Sequence, residues 1–347
     1  MTVHTRKESQ MAEVKLTVGI PTYNRAGWVR ESIDSVLAQS FTDFRLVVSD
    51  NASEDDTPQV VRSFDDDRIV YLRAERNLGV CANFNRIVEH ADSEFLLLLP
   101  DDDILYPGQL QAAVDVLERC ATVGLTHSAF DYIDERSRVI RRVTPVPTRS
   151  PVKIRSGVAA LEWLMVSSEA LCFPTVMYRT RAIVDAGGFR EEEGPFRDRQ
   201  LWMRIALDWD FGYLASALVG QRTHADSITT SIASGGGLDP GTRERFLVYS
   251  QVDFERRLAF LRDAPLAAEV AERLRALATL QRLIDCAAGL GFGEVTARLA
   301  TLVRTYPRIL GRPALWRLLA AQLGGRRARS ALQRRGRDPQ VARAGAR

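Results

Sequence analysis

No unbroken apolar run in the 347 residues exceeds the five at 95–99, far below the roughly 20 that a membrane span needs. Residues 1–15 lack the apolar core of a secretory signal. Cysteine is scarce: Cys81, Cys120, Cys172 and Cys286 lie far apart with no CxxC pair. That excludes a disulfide framework or a zinc site and points to reduced thiols in a cytoplasmic protein. Neither GxGxxG nor GxxxxGK[ST] follows the first strand-like segment, which weighs against a dinucleotide dehydrogenase or a P-loop NTPase. What is present is globular: 46% hydrophobic, 26% charged and 8% aromatic residues rule out wholesale disorder and collagen.

Charge is unevenly spread. Residues 301–347 carry 12 Arg against the single acid Asp338, net +11, so the preceding 300 residues carry 3 − 11 = −8. An acidic body with a basic end suits a solvated tail or peripheral contact with an anionic membrane face. Nucleic acid is not the expected partner, because no zinc-finger or RNP-type signature accompanies the charge.

Strand-type segments at 14–20, 44–48, 69–72 and 95–99 alternate with helical spacings at 29–37, 80–90 and 110–117. That alternation predicts an α/β fold with a mostly parallel central sheet covered on both faces. Ligands of such sheets bind beyond the carboxyl ends of the strands, so motifs just after strands matter most. The stretch 139–151 reads as a connecting loop or weak hairpin. A helix at 157–166, a strand at 175–178 and a helix through Leu201 and Ile205 follow. Glycines 235–237 make the clearest break, and beyond them the pattern is helical, ending in a short amphipathic helix at 315–323. The expected organisation is a flexible tail 1–13, an α/β domain 14–235 in halves 14–128 and 129–235, a helical region 241–323 and a basic disordered tail 324–347.

The first strand ends in Pro21-Thr22-Tyr23-Asn24-Arg25, a rigid turn with a hydroxyl and a ring able to stack on a base. After the second strand, Asp50 and Asn51 precede Asp55, Asp56 and Thr57. Asp56 or Thr57 can cap the next helix unaided. Asp50 is then left for a pyrimidine imino group or a ribose hydroxyl. Arg76-Asn77-Leu78-Gly79 and Asn83 combine a phosphate-seeking guanidinium with ordinary turn chemistry. The sharpest feature is Asp101-Asp102-Asp103 after an apolar strand. Three adjacent carboxylates repel one another unless water or a cation intervenes, and hard oxygens in that number suit Mg²⁺ or Mn²⁺. Asp198 falls at a helix start, where capping competes with a role as general base. His224 follows a strand and reads first as a satisfied polar residue.

These motifs, in this order, resemble glycosyltransferase family 2 over roughly residues 16–230. The resemblance implies a GT-A type α/β/α sandwich followed by a helical C-terminal region. It implies an inverting transfer of sugar from a nucleoside-diphosphate sugar, with UDP favoured by family habit. The acceptor would be a hydroxyl on a glycan, a lipid-linked or a small molecule, as in polysaccharide or glycoconjugate biosynthesis. Pro21, Thr22, Tyr23 and Arg25 would line the nucleotide-sugar site with Asn51, Arg76, Asn77, Gly79, Asn83, Asp101 and Asp102, and Asp50 would hold the base. Asp101 and Asp103 match the outer positions of the DxD motif around Asp102, with Asp103 the direct ligand of Mn²⁺ or Mg²⁺. His224 stands where related sequences carry a histidine near the diphosphate, which adds it to Asp101 and Asp103 as a metal ligand. Asp198 keeps the place of the catalytic base, although Arg197 replaces the family's preceding Glu. Two alternatives differ in kind: a non-catalytic nucleotide-sugar-binding or scaffold protein, and a sugar-nucleotide pyrophosphorylase, whose Gly-rich loop Pro21–Arg25 does not resemble.

Overall fold

A computed structural model describes residues 14–166, 171–224, 240–286 and 292–305. The expectations for 1–13, for the glycine break, for the helix at 315–323 and for the basic tail lie outside the described residues. The chain forms two compact units, divided near residue 236, with Met165 and Val166 grouped with the second.

In the first unit, β1 (Leu16–Thr22), β2 (Phe44–Asp50), β3 (Ile69–Arg73) and β4 (Phe95–Leu98) pair in parallel in the order β3-β2-β1-β4. Three of these strands are buried along their whole length, hence their unbroken apolar character. Strand pleating divides their side chains between two layers. Leu16, Val18 and Ile20 meet Val29, Ile33 and Val36 of α1 (Val29–Leu37) and the apolar face of α4 (Gln109–Arg119) in the main core. Gly19 faces the other way, where α3 (Val80–Glu89) presses so close that a Cβ there would lie 2.3 Å from Ile87. A short α2 (Thr57–Arg62) completes this half.

The other half of the sheet departs from the expected parallel pattern. β9 (Met177–Arg179) inserts antiparallel between β4 and β6 (Val123–Ile133), and β6 pairs in parallel with β10 (Asp210–Arg222). The two-residue β5 (Ile104–Leu105) and β8 (Val152–Arg155) run antiparallel to β10. Residues 139–143 form β7 (Val139–Val143), a genuine partner of β6. Three helices, α5 (Gly157–Val166), α6 (Thr180–Asp185) and α7 (Arg197–Ile205), belong to this half. The second unit holds α8 (Pro240–Asp263), α9 (Ala268–Cys286) and α10 (Phe292–Thr305). No described helix is long and apolar enough to cross a membrane.

One core residue makes stability pH-dependent. His127 on β6 is fully buried between the rings of Trp163 and Tyr213, at 5.1 and 5.0 Å, and neither ring nitrogen has a hydrogen-bond partner among the described residues. Burial drives its pKa from 6.5 down to about 3. The folded state therefore keeps it neutral where the unfolded chain would bind a proton. This contribution is complete above pH 6.5 and is lost as pH falls toward 3. By proton linkage it removes about 2 kcal/mol between pH 8 and pH 5. Unfolding free energies from urea titrations at these two pH values should draw closer together in His127→Phe by that amount. An unchanged difference would show that His127 already titrates normally in the fold.

Candidate active site

β1, β2 and β4 run in the same direction, so the loops after Thr22, Asp50 and Leu98 gather at one edge of the sheet. Thr22 lies beside Asp50 in register, and the Asn51 N–H donates to the Thr22 carbonyl at 2.9 Å. The β2 loop is tightly determined. Ala52 holds φ +68°, a region costly for a residue with a Cβ. Asp50 closes the loop by accepting the Ser53 N–H at 2.7 Å, and its second oxygen accepts the Tyr71 hydroxyl, with Arg73 Nε 3.5 Å away. Burial, and then Asp50, raise the Tyr71 pKa. Asp50 itself is fully buried. Asp50, free of a capping duty in the sequence reading, thus has local partners in Ser53, Tyr71 and Arg73. Asp56 stands at the N-cap of α2 as expected but makes no side-chain cap bond. Asp55, not Asp56, accepts the Thr57 N–H (2.9 Å) and ties down Ala26 N–H (3.0 Å), while Thr57 Oγ1 accepts from Arg25 N–H (3.0 Å).

Asn51 organises the next loop. Its amide donates to Asn77 Oδ1 at 2.8 Å and accepts from Leu78 N–H at 2.8 Å, while Asn77 Oδ1 also takes the Gly79 N–H at 2.9 Å. Gly79 then enters α3 at φ +87° and ψ 167°, a conformation essentially restricted to glycine. Arg76 and Leu78 project into solvent beside it. Asn83 is corrected from ligand contact to framework: it is buried, accepts the Ser49 hydroxyl at 2.7 Å and donates to the Ser49 carbonyl at 3.0 Å.

The carboxylate loop follows β4. Asp101 Oδ2 faces the Tyr23 N–H at 3.4 Å and Oδ1 faces Arg25 Nε at 3.8 Å. Burial, and then the neighbouring Asp102, raise its pKa to about 7. β5 pairs with β10 immediately afterwards, at Ile104 and Gly220, and this brings Arg222 and His224 to the loop. Asp103 is buried, and its Oδ1 accepts the Arg222 N–H at 2.8 Å. Its pKa is raised well above the usual value, first by burial and then by Asp102. Asp102 Oδ2 instead meets His224 Nε2 at 2.9 Å.

Arg222 is the part that sequence reading passed over. Its side chain is 1% exposed, yet every direction is answered. It donates to the Asp102 carbonyl (2.8 Å), the Asp134 carbonyl (3.1 Å), Ser137 Oγ (3.1 Å) and Glu31 (2.7 Å). Its guanidinium lies 4.6 Å over the Trp28 ring, which also stacks on His224 at 5.8 Å. A planar five-donor group is suited to such a clip, and lysine is not.

Asp198 occupies the first turn of α7 but is not its N-cap, which is Phe196 with no side-chain cap bond. Its Oδ1 accepts the Arg199 N–H at 2.7 Å, and burial raises its pKa. Partial exposure leaves it reachable. A raised carboxylate pKa brings a general base closer to neutral operating pH. Arg204 anchors α7 to the Ala186 and Gly188 carbonyls at 2.8 and 2.5 Å. Asn85 on α3 brackets Phe189 by both its N–H and its carbonyl, at 2.9 and 2.8 Å.

The structure thus assembles Tyr23, Arg25 and Asp101 in one group, and Asp102, Asp103, Arg222 and His224 in another beside it. It does not assemble the expected metal trio of Asp101, Asp103 and His224. Among the described residues no three His, Cys, Asp or Glu side chains form a metal-binding group. The cause is local: the turn after Pro100 aims Asp103 at the β10 backbone and Asp102 at the imidazole.

Residues 17–179 match the family model of glycosyl transferase family 2. These residues form a family 2 glycosyltransferase domain. A glycosyltransferase of Rickettsia prowazekii (strain Madrid E), itself uncharacterized, is 24% identical over 217 residues, 62% of this chain and 66% of the relative. The chain therefore spans a little less than two thirds of that relative. Among solved structures, S. aureus TarS 1–349 in complex with UDP-GlcNAc superposes with a TM-score of 0.59 at 18% identity, covering 93% of this chain and 92% of that one. The mannosyltransferase PcManGT from Pyrobaculum calidifontis, in complex with GDP-Man and Mn²⁺, gives 0.53 at 18% identity, covering 90% and 87%. At such identity the likeness shows the fold, which in this family 2 domain is GT-A.

Proposed function

We propose that this glycosyltransferase moves a sugar from a nucleoside-diphosphate sugar, UDP-linked by preference, to an acceptor hydroxyl with inversion. The contact of Asp102 with His224, across 122 residues of chain and at the carboxyl edge of the sheet, carries the reading. A carboxylate and an imidazole are a suitable partial donor set for Mn²⁺, with diphosphate oxygens completing the shell; Mg²⁺ would use the carboxylate and oxygen donors alone. Asp102 and His224 would hold that ion, in place of Asp103. When bound, it supplies positive charge for the departing diphosphate. Arg25 and Asp101 order the Pro21–Arg25 turn against the nucleotide, and Asn51, Asn77 and Gly79 shape the loop bearing Arg76. Asp198 takes the acceptor proton as the hydroxyl attacks the anomeric carbon opposite the leaving group. One displacement inverts the centre.

Calorimetric titration with UDP, GDP, dTDP and CMP, each with and without Mn²⁺, tests the reading. Metal-dependent binding of one nucleoside diphosphate is the expected result and fixes the donor class. A folded protein that binds none of them would favour a non-catalytic scaffold.

A further inference from the structure

We propose that the tip of the β6–β7 hairpin docks on an anionic lipid surface. Val139 and Ile140 are 56% and 60% exposed, the two most exposed large hydrophobic residues among those described. They adjoin in sequence, so a regular pleat would turn one of them inward. A bulge prevents this: Ile133 pairs with Val139 and Tyr132 with Arg141, leaving Ile140 as the extra residue. β7 pairs only with β6, so its outer edge is open among the described residues.

The surrounding charge identifies the occupant. Residues 134–155 carry seven basic and two acidic side chains, net +5, within the 300 residues whose total is −8. Arg136, Arg138, Arg141 and Arg142 flank the aliphatic pair and are all exposed. Arg138 and Arg142 are steadied by Asp134 and Asp131, and Arg141 lies 4.7 Å over the Tyr132 ring. Aliphatic side chains ringed by guanidinium groups fit a bilayer interface, with the apolar pair below the headgroups and the arginines at phosphate level. A nucleic acid or acidic glycan would use the charge and leave the aliphatic pair in water.

The tip also lies beside the donor site. One Arg222 side chain binds both the turn, at Asp134 and Ser137, and the Asp102 carbonyl. A membrane-docked tip would thus hold the site at the lipid surface, where a lipid-linked acceptor resides. Only this acceptor step rests on the glycosyl-transfer reading; the lipid contact stands without it.

The test is sedimentation of the full chain with phosphatidylcholine vesicles, with and without phosphatidylglycerol. Wild-type protein should sediment with the anionic vesicles only, and less at high salt. Val139→Ser/Ile140→Ser should weaken that partition about 10-fold or more, since two buried aliphatic side chains are lost. Ile140→Trp should strengthen it, because indole favours the interface. Circular dichroism matching wild type shows that both variants fold. Wild-type protein left in the supernatant would overturn the proposal. So would equal partition of all three proteins, which would assign any binding to another basic segment. Self-association that depends on Val139 and Ile140, without vesicle binding, would overturn it in favour of a second copy as the partner.

Discussion

Asp198→Asn should lower the turnover number about 10²- to 10⁴-fold, the usual worth of a positioned general base, while UDP affinity stays within about 2-fold of wild type, since no nucleotide contact is lost. The substitution is nearly isosteric. The new amide oxygen can still accept the Arg199 N–H that Asp198 accepts at 2.7 Å, so α7 keeps its first turn. What is lost is the charge, which near a helix N-terminus is worth about 0.3–1 kcal/mol to stability. The pH profile supplies a second readout. Burial raises the Asp198 pKa, and a base works only unprotonated. Wild-type turnover should therefore rise with pH through a midpoint above the usual carboxylate range, and the residual activity of Asp198→Asn should lose that limb. If UDP binding and the urea midpoint fall together with turnover, Asp198 is a structural residue of α7.

The parallel half of the sheet was legible because its strands are buried on both faces and read as apolar runs; 16–22, 44–50 and 95–98 stand close to their expected places. β6 carried no such signal. Thr126, His127, Ser128 and Asp131 interrupt its pattern, yet all are buried by the strands and helices around them. The loops of the site were legible as places but not as directions. Whether Asp55 or Asp56 takes the Thr57 N–H, and whether Asp102 or Asp103 faces the imidazole, depends on a turn that one residue reverses. Arg222 was visible beside His224, but its role was not. Its partners Glu31, Asp102 and Asp134 stand 191, 120 and 88 residues away, and only the fold brings them together.

Asp102→Asn and Asp103→Asn should separate sharply in their response to Mn²⁺. The amide of Asp102→Asn keeps an oxygen able to accept from His224 Nε2, so the contact found at 2.9 Å survives and the fold with it. A neutral amide is a poor ligand for a hard cation. Losing even an outer-shell partner of a metal costs about 10- to 100-fold in affinity, so losing a direct ligand should reduce the Mn²⁺ enhancement of UDP binding by about 100-fold or more. Metal-free UDP binding should change little. Asp103→Asn retains an acceptor for the Arg222 N–H and removes the carboxylate whose pKa is raised by burial and by the Asp102 and Asp101 charges. Its Mn²⁺ enhancement should stay near wild type. The reverse pattern would return the metal to Asp103 and require the loop after Pro100 to turn over when the nucleotide binds. Loss of the enhancement in both variants would also refute the assignment, because the ion would then depend on Asp103 as well as on Asp102.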